Sequence, residues 1–438
     1  MTDALVVILD DVVAGTVTRV DRGRLRFDYA ANYGAADYGA ADYGRSAATP
    51  LSLSMPIQVR SHPDRVVTPW LWGLLPDSEA VLSRWARHFQ VSAASPFSLL
   101  ATPVGEDCAG AVRFSLPDEV DRVLGRPGDV VWLTEAEVAQ RLRELKEDST
   151  AWLGRSFSGQ FSLAGAQAKT ALLRRDGRWG VPSGSTPTTH IVKPAVSGFD
   201  DHDLNEHLCL DAARRAGLTA ARTTIARFDA ETAIVVDRYD RVPRRDRIGR
   251  VHQEDLCQAL GVPPSQKYQN EGGPGPADIA ALLRRAMPPV PAEVAVWRFA
   301  DALIWNWLIG GTDGHAKNYS VLLAEDNVRL APLYDVASAL PYGTHERKLK
   351  LAMTVGGYYR LAPLRNAWPA AARDLGLDAA GLVGRVGELA RQVADAFADA
   401  AAVAEVEALG RDLPARLVDL VAERAARCRQ VVESARAD

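Results

Sequence analysis

Cysteine is scarce in this sequence. The four present, Cys108, Cys209, Cys257 and Cys428, lie far apart and form no Cys-x-x-Cys pair, so neither a zinc site nor a disulfide framework is indicated. They read as small buried residues in a reducing compartment. No apolar run approaches the roughly 18 residues that a membrane helix needs. An excess of charge of either sign is also missing: 51 Lys and Arg stand against 55 Asp and Glu, a formal net charge of −4. That balance argues against a chain-wide nucleic-acid or membrane surface. The start of the chain carries no basic leader, and its apolar run breaks after Leu9 as a β-strand would, so the expected location is the cytoplasm. What remains, 47% hydrophobic and 24% charged over 438 residues, is an ordinary globular composition with room for two or three subdomains.

Strands are expected over 4–9, 15–20 and 24–29, as a small antiparallel meander. Between Tyr29 and Gly44 a five-residue unit runs about three times over. It reads as a tandem insertion in a surface loop, to which no role is assigned. Residues 51–59 alternate like a strand, 79–89 read as a helix, Pro96 opens another, and 104–115 end in a strand. A polar helix over 135–146 marks a subdomain edge. Residues 160–173 then place a glycine and small side chains between two strand-like pieces. Such a turn could let backbone N–H groups approach phosphates, although Gly-x-x-x-x-Gly-Lys-Ser/Thr is absent. A strand over 189–194 contains Lys193, and the following helix, 203–216, carries Glu206 in its first turn. Lysine on a strand and glutamate on the next helix is how phosphoryl-transfer enzymes hold α- and β-phosphates. Singly, each residue is equally a surface lysine or a helix acid favoured by the dipole. A hairpin over 223–236 runs into Asp237-Arg-Tyr-Asp-Arg241, a hinge-like change from apolar to charged. Helices are expected over 250–261, 278–287, 291–308 and 363–375, and from 377 onwards. The expected division is 1–149, 150–240 and 241–438.

The turn over 309–320 draws these pieces together. It holds Asp313 and Asn318 five residues apart, between a helix-like run and a strand-like one, and Asp335 follows in Leu-Tyr-Asp. One carboxylate could accept a hydroxyl proton while the amide and the second carboxylate hold Mg²⁺ on nucleotide phosphates. The bland alternative is a polar turn that satisfies its own backbone. Small-residue turn, lysine with glutamate, hinge, and the acid–amide–acid set stand in the order of a bilobal protein kinase, an α+β fold with a mostly helical C-terminal lobe. Neither His-Arg-Asp nor Asp-Phe-Gly is present.

The wording of the motifs resembles the HipA family of bacterial serine/threonine kinase toxins. The similarity runs through Ser162-Leu-Ala-Gly-Ala-Gln-Ala-Lys-Thr, His-Ile-Val-Lys193-Pro, Asp237-Arg-Tyr-Asp-Arg, Gln253-Glu-Asp-Leu-Cys-Gln, Lys267-Tyr, Gly-Gly-Thr-Asp313-Gly-His-Ala-Lys-Asn318-Tyr-Ser and Leu-Tyr-Asp335-Val. In the first third, Pro50-Leu-Ser-Leu-Ser-Met-Pro and Leu74-Leu-Pro-Asp-Ser resemble the family's N-terminal subdomain. The resemblance implies ATP and Mg²⁺ as cofactors and Asp313 as the catalytic base. It makes Asn318 and Asp335 the metal ligands and Lys193 a phosphate ligand. Ala164, Gly165, Ala166, Gln167, Ala168 and Lys169 become the phosphate-side loop. Asp237, Arg238 and Tyr239 become the adenine hinge, with His315, Lys317 and Tyr334 beside the nucleotide. Ser162 matches a serine that family members autophosphorylate to switch themselves off. The implied partners are a helix-turn-helix antitoxin, HipB-like, operator DNA mainly through that antitoxin, and a protein substrate such as an aminoacyl-tRNA synthetase, glutamyl-tRNA synthetase in particular. The competing expectation is a catalytically silent, kinase-shaped binding protein that acts as co-repressor with its antitoxin.

Overall fold

The computed structural model describes residues 3–34, 48–196, 198–244, 247–324, 327–343 and 346–434. Its first part is an antiparallel sheet of Ala4–Leu9 (β1), Val12–Arg19 (β2), Leu25–Tyr29 (β3), Ser61–His62 (β4) and Val112–Ser115 (β5), in the order β4-β3-β2-β1-β5. The period of two sends Leu5, Val7 and Leu9 of β1 to one face, where they join a core with Trp70, Leu71 and Trp85. Val6 and Ile8 face the other way and meet Val123. Trp70 and Leu71 come from helix Asp64–Gly73, which contains Pro69, and Trp85 from helix Glu79–Phe89, capped by the Ser78 side chain.

Two details of this part depart from the sequence reading. Residues 51–59 form only one bridge, Ser52 with Met55, because side chains take up the backbone groups a ladder would use. Leu51 N–H donates to the Tyr29 hydroxyl at 2.8 Å, and Leu53 N–H donates to Glu254 Oε1 at 2.7 Å. The first tyrosines of the repeat are core residues: Tyr29 and Tyr33 stack 5.6 Å apart, and Tyr33 donates to Thr49 O at 2.6 Å. Tyr38 and Tyr43 lie outside the described residues.

A second sheet follows, built from Asp129–Leu133 (β6), Thr170–Arg175 (β7), Arg178–Ser183 (β8), His190–Pro194 (β9), Thr223–Phe228 (β10) and Glu231–Asp237 (β11), in the order β10-β11-β9-β7-β8-β6. Helix Glu135–Glu147, closed by a Thr134–Glu137 capping box, packs Val138, Ala139 and Leu142 against Leu172, Val181 and Val192 of this sheet. Strand β6 and this helix thus sit with the second sheet, through a β6–β8 ladder that pairs residues about fifty positions apart and leaves no local trace.

The remainder is a helical lobe around helix Pro289–Ile309, which is buried on every side from Ala302 to Ile309 and packs Phe299, Ile304, Trp305 and Trp307 into the core. Helices Pro276–Ala286, Ala367–Leu375, Ala379–Ala401 and Leu413–Ser434 surround it. Pro369 falls in the first turn of its helix, where a missing N–H costs nothing. Leu417, Val421 and Cys428 of the last long helix are buried in the same core, and the buried Arg424 donates to Trp307 O at 3.0 and 2.7 Å. A small hairpin, Arg241–Pro243 (β12) with Ile248–Arg250 (β13), leads from the second sheet into this lobe. A three-stranded sheet follows with the order β14-β15-β16, from His252–Asp255 (β14), Ser320–Ala324 (β15) and Asn327–Leu330 (β16). The expected helix over 250–261 is therefore a strand followed by the short helix Leu256–Leu260. Pairing of His252 to Asp255 with Leu323 to Ser320 overrides the helical look of the segment. No helix among the described residues is long and apolar enough to cross a membrane.

Candidate active site

The second sheet, turns of the N-terminal part, the three-stranded sheet and the helical lobe enclose a cavity of about 600 Å³. Helix Pro289–Ile309 aims the turn at it. The helix stops at Gly310, whose φ of 70° is a left-handed cap that returns its N–H to Asn306 O. The chain then passes Asp313, makes one 3-10 turn over Ala316–Asn318 and enters β15. Ser338 ties the turn down by donating to Ile309 O at 2.6 Å.

Lys193 is the electrostatic centre. Its ammonium donates to Glu206 Oε1 at 2.8 Å, to Glu206 Oε2 at 3.1 Å and to Asp335 Oδ1 at 2.7 Å. Burial disfavours the ammonium, but Asp335 and Glu206 outweigh it and raise the lysine pKa. Burial likewise opposes ionisation of Asp335, yet Lys193 and Lys169 hold its carboxyl well below the usual range. Burial raises the Glu206 carboxyl, with Lys193 opposing. Asp335 has a φ of 57°, a left-handed conformation rare for a residue with a side chain. It is set just after Leu333, which bonds on both sides to the backbone of Thr219 and Ala221.

Facing this centre, the loop from Ala164 to Lys169 turns at Gly165 with φ 100°. A Cβ there would come within 2.7 Å of Lys169 Nζ. That ammonium donates to Ala164 O at 2.6 Å and lies 4.7 Å from the Trp152 ring. Burial, followed by repulsion from Lys193, lowers the Lys169 pKa to about 8. Ala164, Gly165, Ala166, Gln167 and Lys169 line the cavity, whereas Ala168 packs against the N-terminal core. Ser162 is fully buried, its hydroxyl donated to Leu74 O at 2.7 Å.

On the far wall, the Asp313 carboxylate accepts from the Tyr268 hydroxyl at 2.7 Å. Tyr268 packs edge-on against His315 at 4.9 Å. Burial lowers the His315 pKa against the pull of Asp313. Asn318 Nδ2 donates to Asp335 O at 3.2 Å, which places the amide beside the second acid. Lys317 forms an ion pair with Asp77 of the N-terminal part, and Lys267 reaches the other oxygen of Asp77 at 3.0 Å. Tyr334 donates to Lys317 O at 2.6 Å and lies 5.9 Å from Tyr239, ring to ring. Residues 237–240 close the cavity at the hinge. There Asp237 is half exposed beside His190, whereas the Arg238 guanidinium is buried and donates to Asp240 Oδ2 at 2.8 Å. It joins a buried network in which Arg238 and Arg241 both bond to Asp107 and Asp240.

All the sequence-selected site residues except Ala168 and Ser162 line this one cavity. Sequence reasoning gave no role to Asp77, Lys267 or Tyr268, which also line it or touch its residues. Asp77 and Lys267 sit inside quoted motifs, but their contacts span 190 and 240 positions and carry no local signal.

A divalent cation fits the donor set: Asp335 and Asn318 offer a carboxylate and an amide oxygen side by side, hard ligands that suit Mg²⁺ when phosphates and water complete the shell. Among the described residues no cluster of three or more His, Cys, Asp or Glu forms an all-protein metal site.

A model of the HipA-like C-terminal domain matches residues 161–401, and one of the HipA N-terminal domain matches 5–115. A Sinorhizobium fredii protein named "Putative kinase Y4mE" is 35% identical over 80% of this chain and 82% of its own. The serine/threonine-protein kinase toxin HipA of Shewanella oneidensis is 28% identical over 76% of each. In fold, the chain matches a solved structure of the Shewanella oneidensis MR-1 HipA, HipB and operator DNA complex with a TM-score of 0.79, at 24% identity over 99% of both chains. With the cavity, both domain models and these relatives in agreement, the chain belongs to the HipA family and is an enzyme of the kinase class.

Proposed function

We propose that the chain is an ATP- and Mg²⁺-dependent serine/threonine-protein kinase that acts in the cytoplasm as the toxin of a toxin–antitoxin pair. One observation carries the reading: a single cavity holds Lys193 bridging Glu206 and Asp335, Asn318 beside Asp335, and Asp313 with a hydroxyl 2.7 Å away. In this reading Lys193, fixed by Glu206, and the loop from Ala164 to Lys169 orient the triphosphate. Mg²⁺ held by Asp335 and Asn318 would neutralise charge on the β- and γ-phosphates. The substrate hydroxyl takes the place now held by Tyr268. Asp313 accepts its proton as the oxygen bonds to the γ-phosphorus, and the bond from that phosphorus to the ADP oxygen breaks.

Ser162 is the proposed site of self-inactivation. Its hydroxyl is spent on Leu74 O in a fully buried position, so a phosphate of about −2 charge can be accommodated only with the loop displaced from the cavity. A helix-turn-helix antitoxin, and operator DNA reached mainly through it, are proposed partners. The Shewanella oneidensis complex of HipA, HipB and operator DNA supports them. Family resemblance supports an aminoacyl-tRNA synthetase as the protein substrate. The test is incubation of the chain with γ-labelled ATP, Mg²⁺ and host lysate. Label is expected in one acceptor protein and in the chain at Ser162, and neither with Asp313→Ala. Absence of label with the unaltered chain overturns the proposal.

A further inference from the structure

Residues 74–77, a turn of the N-terminal part, bond to Ser162, to the loop from Ala164 to Lys169 and to two lysines of the cavity wall. Leu74 O accepts from the Ser162 hydroxyl at 2.7 Å. Asp77 N–H donates to Gly165 O at 3.0 Å. The Asp77 carboxylate pairs with Lys317, between Asp313 and Asn318, and with Lys267 at 3.0 Å, next to Tyr268. Lys317 is 5% exposed. Burial opposes ionisation of Asp77, but Lys317 and Lys267 hold its carboxyl below its ordinary range. Each oxygen of the carboxylate therefore has a lysine, and no water-exposed alternative competes strongly for Lys317.

Resting on the kinase reading above, we infer that Asp77 is a positioning residue of the phosphoryl-transfer site, supplied by the N-terminal part. Through Lys317 it sets the backbone that carries Asp313 and Asn318, and through Gly165 it sets the phosphate-side loop. The two walls that grip the nucleotide from opposite sides are thus referenced to one turn outside both. Asp77 also neutralises both lysines, each of which lines the cavity.

The experiment uses the full chain and its Asp77→Asn and Asp77→Glu variants. Asparagine keeps the shape and loses the charge. Without nucleotide, amide hydrogen exchange in Asp77→Asn is expected to rise about tenfold over 162–169 and over 313–319, while helix Glu79–Phe89 and β1 to β3 exchange as in the unaltered chain. In phosphate transfer, kcat is expected to fall about tenfold or more with KM for ATP not raised, and Asp77→Glu should recover part of kcat. Exchange unchanged in the two segments overturns the inference, whatever the kinetics show. Should the unaltered chain transfer no phosphate, the kinase reading fails, and the exchange result still decides whether Asp77 orders both walls.

Discussion

The Lys193 ammonium sits between two carboxylates, 2.8 Å from Glu206 and 2.7 Å from Asp335. The two acids have different expected roles, and substitution separates them. Asp335→Ala removes the proposed metal ligand and should cut phosphate transfer by about 10³-fold or more. Cells overexpressing that variant should keep growing. Glu206→Gln keeps the metal ligands but loosens the lysine, so KM for ATP should rise about tenfold. Steady-state transfer from labelled ATP separates the two patterns. Equal effects of both on KM alone would remove the distinction.

Tyr268 donates its hydroxyl to Asp313, the proposed catalytic base, and so occupies the place proposed for a substrate hydroxyl. Tyr268→Phe deletes that competitor and keeps the ring against His315. The expected outcome is a rise of roughly threefold in kcat/KM for the protein acceptor, with KM for ATP unchanged, because exchanging one hydroxyl partner for another is a small net energy. A large loss of kcat would show instead that the tyrosine holds Asp313 in its working orientation.

Lys169 has its pKa lowered to about 8 by burial and by Lys193. A base whose pKa is lowered loses its charge as the pH rises through that value. The proposed contact of Lys169 with phosphate needs the charge, so kcat/KM for ATP should decline above about pH 8, the profile of the free enzyme. Lys169→Arg should remove the decline, since arginine stays protonated. An unchanged profile in that variant would show that another group titrates there.

Glu254 is buried, accepts from Leu53 N–H at 2.7 Å, and has its carboxyl pushed up to about 8 by burial. A folded-state pKa above the unfolded value contributes stability that is fully present below the unfolded pKa. That contribution is lost as pH rises through the folded one. Between about pH 5 and 9 the unaltered chain should therefore lose Tm relative to Glu254→Gln, which can keep the acceptor oxygen without the charge. Parallel curves over that window would contradict this assignment.

Asp313, Asn318 and Asp335 were legible because chemistry and spacing coincide in short polar turns between apolar runs, and Lys193 because it lies in a strand followed by a helix with an early acid. The residues that hold them in place were less so. Asp77 acts across 240 positions on Lys317, and Tyr268 across 45 on Asp313, and nothing in either local segment announces the contact. The same reason hid β14. Its residues look helical alone and become a strand because β15 offers a ladder. Helix Asp64–Gly73 was missed because Pro69 lies inside it, a residue that ordinarily argues against a helix. The side-chain bonds that hold 51–59 in place of a ladder come partly from Glu254 and His252, two hundred residues later.

The buried network behind the hinge bears on how the chain can be divided. Asp107, from the N-terminal part, faces Arg238, Arg241 and Arg250 with little access to water. Cutting the chain to leave only the later portion would take Asp107 from all three, leaving Arg238 and Arg241 with Asp240 and Arg250 without its carboxylate, and removing one partner of a buried ion pair is strongly destabilising. The part that follows residue 149 is consequently not a detachable module. A chain that begins after residue 149 should be recovered as insoluble material, and fusions or tags belong at the ends of the whole chain.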